Sequence, residues 1–140
     1  MKIGFVGLGN VGGKLARSLL RNNFDLTVRD LDTNLTKIFT DSGAKIANSA
    51  KKLAEEVDLI ITCLPSPQVC AEVMEGADGI IEGLSQNKIW LEMSTTDETE
   101  VKRLGKKVKD KKATPLDGPV SGGCHRAETC VLYTSDAADE

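Results

Sequence analysis

Aromatic side chains make up only 4% of the 140 residues, so the core has to be built from Leu, Ile, Val and Ala. Histidine occurs once, at His125, which excludes a multi-histidine metal site within the chain. No pair among the four cysteines, Cys63, Cys70, Cys124 and Cys130, has the two-residue gap of a zinc or redox motif. The N-terminus has no signal-peptide pattern, so the cysteines read as free thiols of a reducing compartment. The expected location is the cytoplasm, or an organelle matrix if a transit peptide was lost. No apolar stretch approaches the ~20 residues of a membrane span, and no membrane partner is expected. Positive charge is not in excess either. A formal net charge of −3 argues against a nucleic-acid partner, which calls for a basic surface.

One dense basic run is present, over residues 102–112, but it also contains Asp110. Its Val101, Leu104 and Val108 fall at helical spacing, so it reads as the solvated face of an amphipathic helix. At the other extreme, residues 130–140 read CVLYTSDAADE, with no turn signal or helical face. LYTSDAADE matches the translated read-through of a transposase-type sequencing adapter, and 130–140 is expected to be non-native or a disordered tail. It holds three acids and no bases. Without it the charges balance, so the slight acidity says nothing about a partner.

Between these limits, short β-rich runs alternate with helical segments, the pattern of a parallel α/β sheet. Strands are predicted at 2–6, 26–28, 43–47, 59–63 and 89–91, with a weak one at 114–116 ending at Asp117. Helices are predicted at 11–21, 34–41, 67–75, from an N-cap at Ser49 to 56, and from Thr96 or Asp97 to about 111. Leu59-Ile60-Ile61-Thr62-Cys63 is unbroken and apolar, as suits a strand buried on both faces. Pro67 suits a first helical turn. The expected architecture is a doubly wound, mostly parallel Rossmann-type sheet with right-handed crossovers, covered on both sides.

Gly7-Leu8-Gly9-Asn10-Val11-Gly12 is G-x-G-x-x-G. Thirteen glycines in the chain make a chance match cheap, but this one follows a strand and opens an amphipathic helix, the context its physics requires. Gly7 permits the tight turn, Gly9 lets backbone approach a pyrophosphate, and Gly12 lets helix and strand pack closely. Asp30, at the end of the second strand, is placed to accept hydrogen bonds from ribose hydroxyls and to repel a 2′-phosphate. Arg29 should face away from it, because neighbouring strand side chains alternate. Position 31, where an arginine would clamp a 2′-phosphate, is Leu31. NAD is therefore favoured over NADP.

The opening GFVGLGNVGGKLARSLL, with ITCLPSP, GADGIIEG, EMSTT and DGPVSGG in this order, resembles the β-hydroxyacid dehydrogenases over residues 1–129. That family includes 3-hydroxyisobutyrate dehydrogenases and tartronate semialdehyde reductases and is related to 6-phosphogluconate dehydrogenase. The resemblance implies that Leu64 and Pro65 lie along the central ribose and nicotinamide side of the cofactor. It implies that Thr95 contacts the cofactor near the nicotinamide; without it, residues 94–96 read equally well as a helix-capping cluster. It also implies that Ser121, Gly122 and Gly123 hold the substrate carboxylate, where two glycine N–H groups and a hydroxyl suit an anion.

Family members carry a catalytic lysine on a helix of a C-terminal helical domain, and no residue here aligns with it. Lys106, Lys107 and Lys109 belong to the amphipathic helix. The chain is thus expected to be an inactive N-terminal NAD(P)-binding domain of 1–129. Its parent would be a homo-oligomeric oxidoreductase, assembled through the missing domain, that interconverts a small β-hydroxyacid and its semialdehyde. The alternative is a stand-alone NAD(P)-binding or sensing module.

Overall fold

The computed structural model describes residues 1–94 and 97–118. Thr95, Ser121, Gly122, Gly123, the cysteines beyond residue 118 and the tail at 130–140 lie outside them. Six strands, β1 (Lys2–Val6), β2 (Asp25–Arg29), β3 (Lys45–Ile46), β4 (Leu59–Thr62), β5 (Ile89–Glu92) and β6 (Thr114–Asp117), form one sheet. Their order is β3-β2-β1-β4-β5-β6, and every pairing is parallel. The Rossmann-type α/β expectation holds. The order reverses between β1 and β4, so the carboxyl ends of these two strands flank the crevice where such sheets bind ligands.

The helices are α1 (Asn10–Arg21), α2 (Thr33–Asp41), α3 (Ala50–Glu56), α4 (Pro67–Glu75), α5 (Ile80–Gly83) and α6 (Glu98–Asp110). Most boundaries agree with the sequence pattern to within a residue. Two features differ. The third strand is two residues rather than five, because Gly43 adopts φ +105° and turns the chain before pairing begins. The one-turn helix α5 has no counterpart in the sequence pattern, since its four residues, Ile80–Gly83, are too few to display a helical period.

Alternation along the central strands divides the apolar residues between two cores. Ile3, Phe5, Leu26, Val28 and Ile61 join Leu15 and Leu19 of α1 and Phe39 of α2 on one face. Val6, Ile60 and Trp90 join Leu53, Met74, Ile80, Leu104 and Val108 of α3 to α6 on the other. Phe5, Trp90, Leu53 and Ile60 are fully buried, each contributing roughly 1.5–3 kcal/mol of hydrophobic stabilisation. With so few aromatics, Phe5 and Trp90 carry an outsized share.

Four helices begin under a side-chain oxygen: Asp32 on α2, Ser49 on α3, Ser66 on α4 and Asp97 on α6 each accept a backbone N–H of the first turn. Of the two sequence candidates for the last cap, Asp97 is the one used. These caps fix where the chain leaves each loop, at roughly 1 kcal/mol each. The exception among the longer helices is α1, which begins at Gly9 without a side-chain cap.

An ion-pair cluster ties α4 to α6. Glu75 accepts from Arg103 at 2.8 and 2.9 Å and from Lys107 at 2.6 Å. The Arg103 and Lys107 hydrogen bonds bring its carboxyl down to about 2, from an ordinary 4.5. A carboxyl lowered by folding stabilises the fold above its unfolded pKa and loses that contribution as pH falls toward its folded pKa. With the side chain 27% exposed, solvent screening holds the effect to ~1 kcal/mol or less. The melting temperatures of wild type and Glu75→Gln should therefore differ at pH 6 and converge toward pH 2. A gap that stays constant over this range would show that charge does not make the tie.

Candidate cofactor site

At the carboxyl edge of the sheet a cavity of about 1220 Å³ opens over the β1–α1 turn, large against the ~300–1,000 Å³ of ordinary small-molecule sites. Of the residues singled out in the sequence, Gly7, Gly9, Asn10, Val11, Gly12, Asp30, Leu64 and Pro65 all border it. Leu8 does not. Its side chain is 2% exposed and packs in the α1–α2 core, leaving only its backbone at the turn.

The three glycines differ in what surrounds them. Gly7 sits at φ +100°, and a Cβ there would stand 2.2 Å from the Cys63 carbonyl oxygen. A Cβ on Gly12 would stand 1.9 Å from the Gly7 carbonyl oxygen. Both positions are closed by backbone, which cannot step aside cheaply. A Cβ on Gly9 would meet nothing within 4 Å, so the turn presents bare backbone to open space there. With no side chain capping α1, the first amides of that helix and its positive dipole end are left for an anion. A pyrophosphate fits this cradle.

Asp30 is engaged with the same turn. Its Oδ2 accepts the Leu8 N–H at 2.8 Å and its Oδ1 accepts the Asp32 N–H at 2.8 Å. The carboxylate is thereby fixed at the rim with lone pairs left for a hydroxyl-bearing ligand. Arg29 also borders the cavity, so strand alternation does not remove it as expected. Its guanidinium donates to the Asn48 carbonyl at 2.9 Å and the Ala47 carbonyl at 3.4 Å, which bends it along the rim at the end of β2.

The opposite wall comes from β4 and β5. Ser94 is 4% exposed, and its hydroxyl accepts the Leu64 N–H at 2.6 Å, coupling the two strand ends. Beneath it, Glu92 is fully buried. Its Oε1 accepts the Ser94 N–H at 2.7 Å and its Oε2 accepts the Cys70 S–H at 2.8 Å. Beside them, the Trp90 indole N–H donates to Thr62 at 2.9 Å. Burial, with Glu92 as the second cause, pushes the Cys63 thiol up to about 11. Burial first, then the charge and hydrogen bond of Glu92, carry Cys70 well above the ordinary thiol range. Neither thiol is a nucleophile near neutrality.

Sequence reasoning missed Ser94 as a wall residue, Glu92 beneath it, and the turn after α4, where Gly76, Ala77, Asp78 and Gly79 border the cavity. The alternation of IWLE did carry a signal for Glu92, since it puts a carboxylate on the same face as Trp90. No group of three or more His, Cys, Asp or Glu side chains suited to a metal occurs among the described residues. No helix among them is long and apolar enough to cross a membrane.

Residues 2–139 match the family model described as the NAD binding domain of 6-phosphogluconate dehydrogenase. The chain is 36% identical over 127 residues to the mitochondrial 3-hydroxyisobutyrate dehydrogenase of Mus musculus, covering 91% of this chain and 38% of that one. It is 27% identical over 138 residues to the cytokine-like nuclear factor N-PAC of Pongo abelii, covering 99% of this chain and 25% of that one. Among solved structures, a Mycobacterium tuberculosis 3-hydroxyisobutyrate dehydrogenase with L-serine superposes with a TM-score of 0.80 at 25% identity, covering 91% of this chain and 43% of the other. The chain thus spans about two fifths of the length of the dehydrogenases it matches. With an uncapped glycine turn at the switch point of a parallel sheet, and with a family model matched along nearly its whole length, this chain belongs to the family of the 6-phosphogluconate dehydrogenase NAD binding domain.

Proposed function

We propose that the chain is the cofactor-binding part of an oxidoreductase that interconverts a small β-hydroxyacid and its semialdehyde, with NAD in preference to NADP. The observation that carries the reading is the pairing of two features on one cavity. A bare, uncapped helix start faces it at Gly9, and a fixed carboxylate, Asp30, stands at the end of β2. The first suits a pyrophosphate and the second a ribose diol. Leu31 is 90% exposed and brings no positive charge to a 2′-phosphate, which is the reason for preferring NAD. When bound, the cofactor would supply hydride chemistry, and this chain's residues would hold and orient it.

The catalytic proton-transfer group is proposed to lie outside residues 1–118. Among the described residues, neither a lysine nor a histidine borders the cavity, and both thiols near it are held protonated. Ser121, Gly122 and Gly123, with Thr95, are proposed to meet the substrate carboxylate and the nicotinamide side, as the family resemblance implies. Assembly through a further domain is part of the same proposal, as is a location in the cytoplasm or in an organelle matrix; the mouse relative's name places that protein in the mitochondrion.

The purified chain should bind NAD weakly and give no turnover with 3-hydroxyisobutyrate or L-serine. Calorimetry and absorbance at the reduced nicotinamide band test the two halves. Measurable turnover would place a catalytic group within these 140 residues and overturn the assignment. A second reading, a nucleotide-binding or sensing module, draws on the 99% coverage by a relative not named as a dehydrogenase. The reading frame of the source gene separates the two. Continuation past residue 129 into a lysine-bearing helix supports the enzyme, and a natural stop at Glu140 supports the module.

A further inference from the structure

Most of the polar side chains around the cavity are already engaged. Asp30, Arg29, Ser49 and Ser94 all bond to backbone groups of the protein. Asn48 and Glu72 border the cavity too, and among the described residues neither side chain has a hydrogen-bond or ion-pair partner. Val69, Glu72, Val73 and Gly76 all border it and recur at i, i+3, i+4 and i+7 along α4, so one face of that helix forms the wall. The Glu72 carboxylate thus stands beside an aliphatic strip of Val69 and Val73.

The loop between β3 and α3 supplies the other wall, and its backbone is pinned around Asn48. The Asn48 carbonyl accepts from Arg29 at 2.9 Å, the preceding Ala47 N–H donates to the Val28 carbonyl at 3.3 Å, and the following Ser49 caps α3. The Lys51 N–H, bonded to the Asp78 carbonyl at 2.8 Å, joins this loop's helix to the turn after α4. Both walls are therefore set in place by the fold itself, which lowers the cost of ordering them around a ligand.

Asp30 marks the ribose and the glycine turn marks the pyrophosphate. The base of a dinucleotide then lies past the ribose, between α4 and the β3–α3 loop. This placement rests on the proposed function. We propose that this end of the cavity reads the base itself: Glu72 and Asn48 accept the exocyclic amine of adenine, and the site rejects a purine with a carbonyl in its place. Adenine has flat faces to lay on the aliphatic strip and, at its edge, two amine N–H donors beside ring nitrogens that accept. A carboxylate only accepts, whereas an amide accepts and donates at once, the pairing by which an asparagine reads adenine's amine together with a ring nitrogen. A carbonyl at the amine position would set its lone pairs against those of Glu72, and a site built around an acceptor discriminates against a ligand that brings it no donor.

The test is a calorimetric titration of the purified chain with NAD and with nicotinamide hypoxanthine dinucleotide, which differs at the base by a carbonyl in place of the amine. Wild type, Glu72→Gln and Asn48→Ala are compared. Both residues are exposed, so the variants should fold, and matching thermal melts confirm it. The wild type should bind NAD at least about fivefold tighter than the hypoxanthine dinucleotide, the worth of one solvent-accessible hydrogen bond. Glu72→Gln should bring the two affinities close together, because the new amide can donate to the carbonyl. Asn48→Ala should narrow the gap by weakening NAD more than the analogue. Equal binding of the two dinucleotides by the wild type would leave the cofactor site standing and overturn the reading of the base. So would an unchanged ratio in either variant. Wild-type binding of neither dinucleotide would instead remove the cofactor site itself, and this inference with it.

Discussion

Gly12→Ala is expected to destabilise the chain by about 3 kcal/mol, the upper part of the range for overpacking, while Gly9→Ala should leave its melting temperature nearly unchanged. The contrast follows from what each new methyl group would meet. At Gly12 it lies 1.9 Å from the Gly7 carbonyl oxygen and 3.3 Å from Phe5, so α1 must lift away from β1. That movement opens the core containing Leu15, Leu19 and Phe5. For a domain whose whole stability is roughly 5–15 kcal/mol, such a loss is large. At Gly9 the methyl meets nothing and the backbone already lies in the extended region. There it occupies the space proposed for the pyrophosphate, and NAD affinity should fall at least tenfold, ~1.4 kcal/mol. Thermal melts and titrations of both variants check the pair. A stable Gly12→Ala would mean the turn can open without harm, and full NAD binding by Gly9→Ala would move the phosphate elsewhere.

At Asp30 the expected result separates two roles that a single alanine substitution confuses. The carboxylate holds the Leu8 and Asp32 amides, so Asp30→Ala leaves both unsatisfied and loosens the turn for any dinucleotide. It should weaken NAD by about 1–3 kcal/mol through the lost charge-assisted ribose bonds, and NADP by a smaller amount through the turn alone. Asp30→Asn retains an acceptor for the Leu8 amide while removing the charge that repels a 2′-phosphate. This variant should lose NAD affinity and gain NADP affinity, narrowing the gap between the cofactors by about tenfold. Parallel titrations with both cofactors decide the point. If both lose affinity equally in Asp30→Asn, the carboxylate does not face the ribose, and Arg29, on the same rim, becomes the determinant to change.

What the sequence made legible was whatever is dictated locally. The G-x-G-x-x-G turn, the caps at Ser49 and Asp97, Pro67 at a first helical turn and the apolar run of β4 each follow from neighbours within a few positions. The closed contacts of Gly7 and Gly12 are the reasons for which glycine was expected there. What stayed hidden depends on residues distant in the chain. Cys70 and Glu92 meet only once α4 is laid beside β5. The Ser94 hydroxyl reads as a helix cap until Leu64 is found beside it. Arg29 reads as facing away because alternation says where a side chain starts, not where a long, flexible one ends. The turn after α4 carries no periodic signal, and its place on the cavity comes from α3 packing against α5, with the Lys51 N–H donating to the Asp78 carbonyl at 2.8 Å.

The sheet order also sets an expected sequence of events as the chain folds. β1 pairs on one side with β2, Ile3 opposite Leu26, and on the other with β4, Ile3 opposite Leu59. The first pairing closes a short βαβ loop and gathers most of the α1–α2 core, so it can form early. The second closes a loop more than twice as long, and such non-local pairings are the slow ones. Until β4 arrives, the inner edge of β1 is an unpaired strand carrying Phe5 and Val6, open to pairing with other chains. On the ribosome, that exposure lasts until Leu59 to Thr62 have left the exit tunnel.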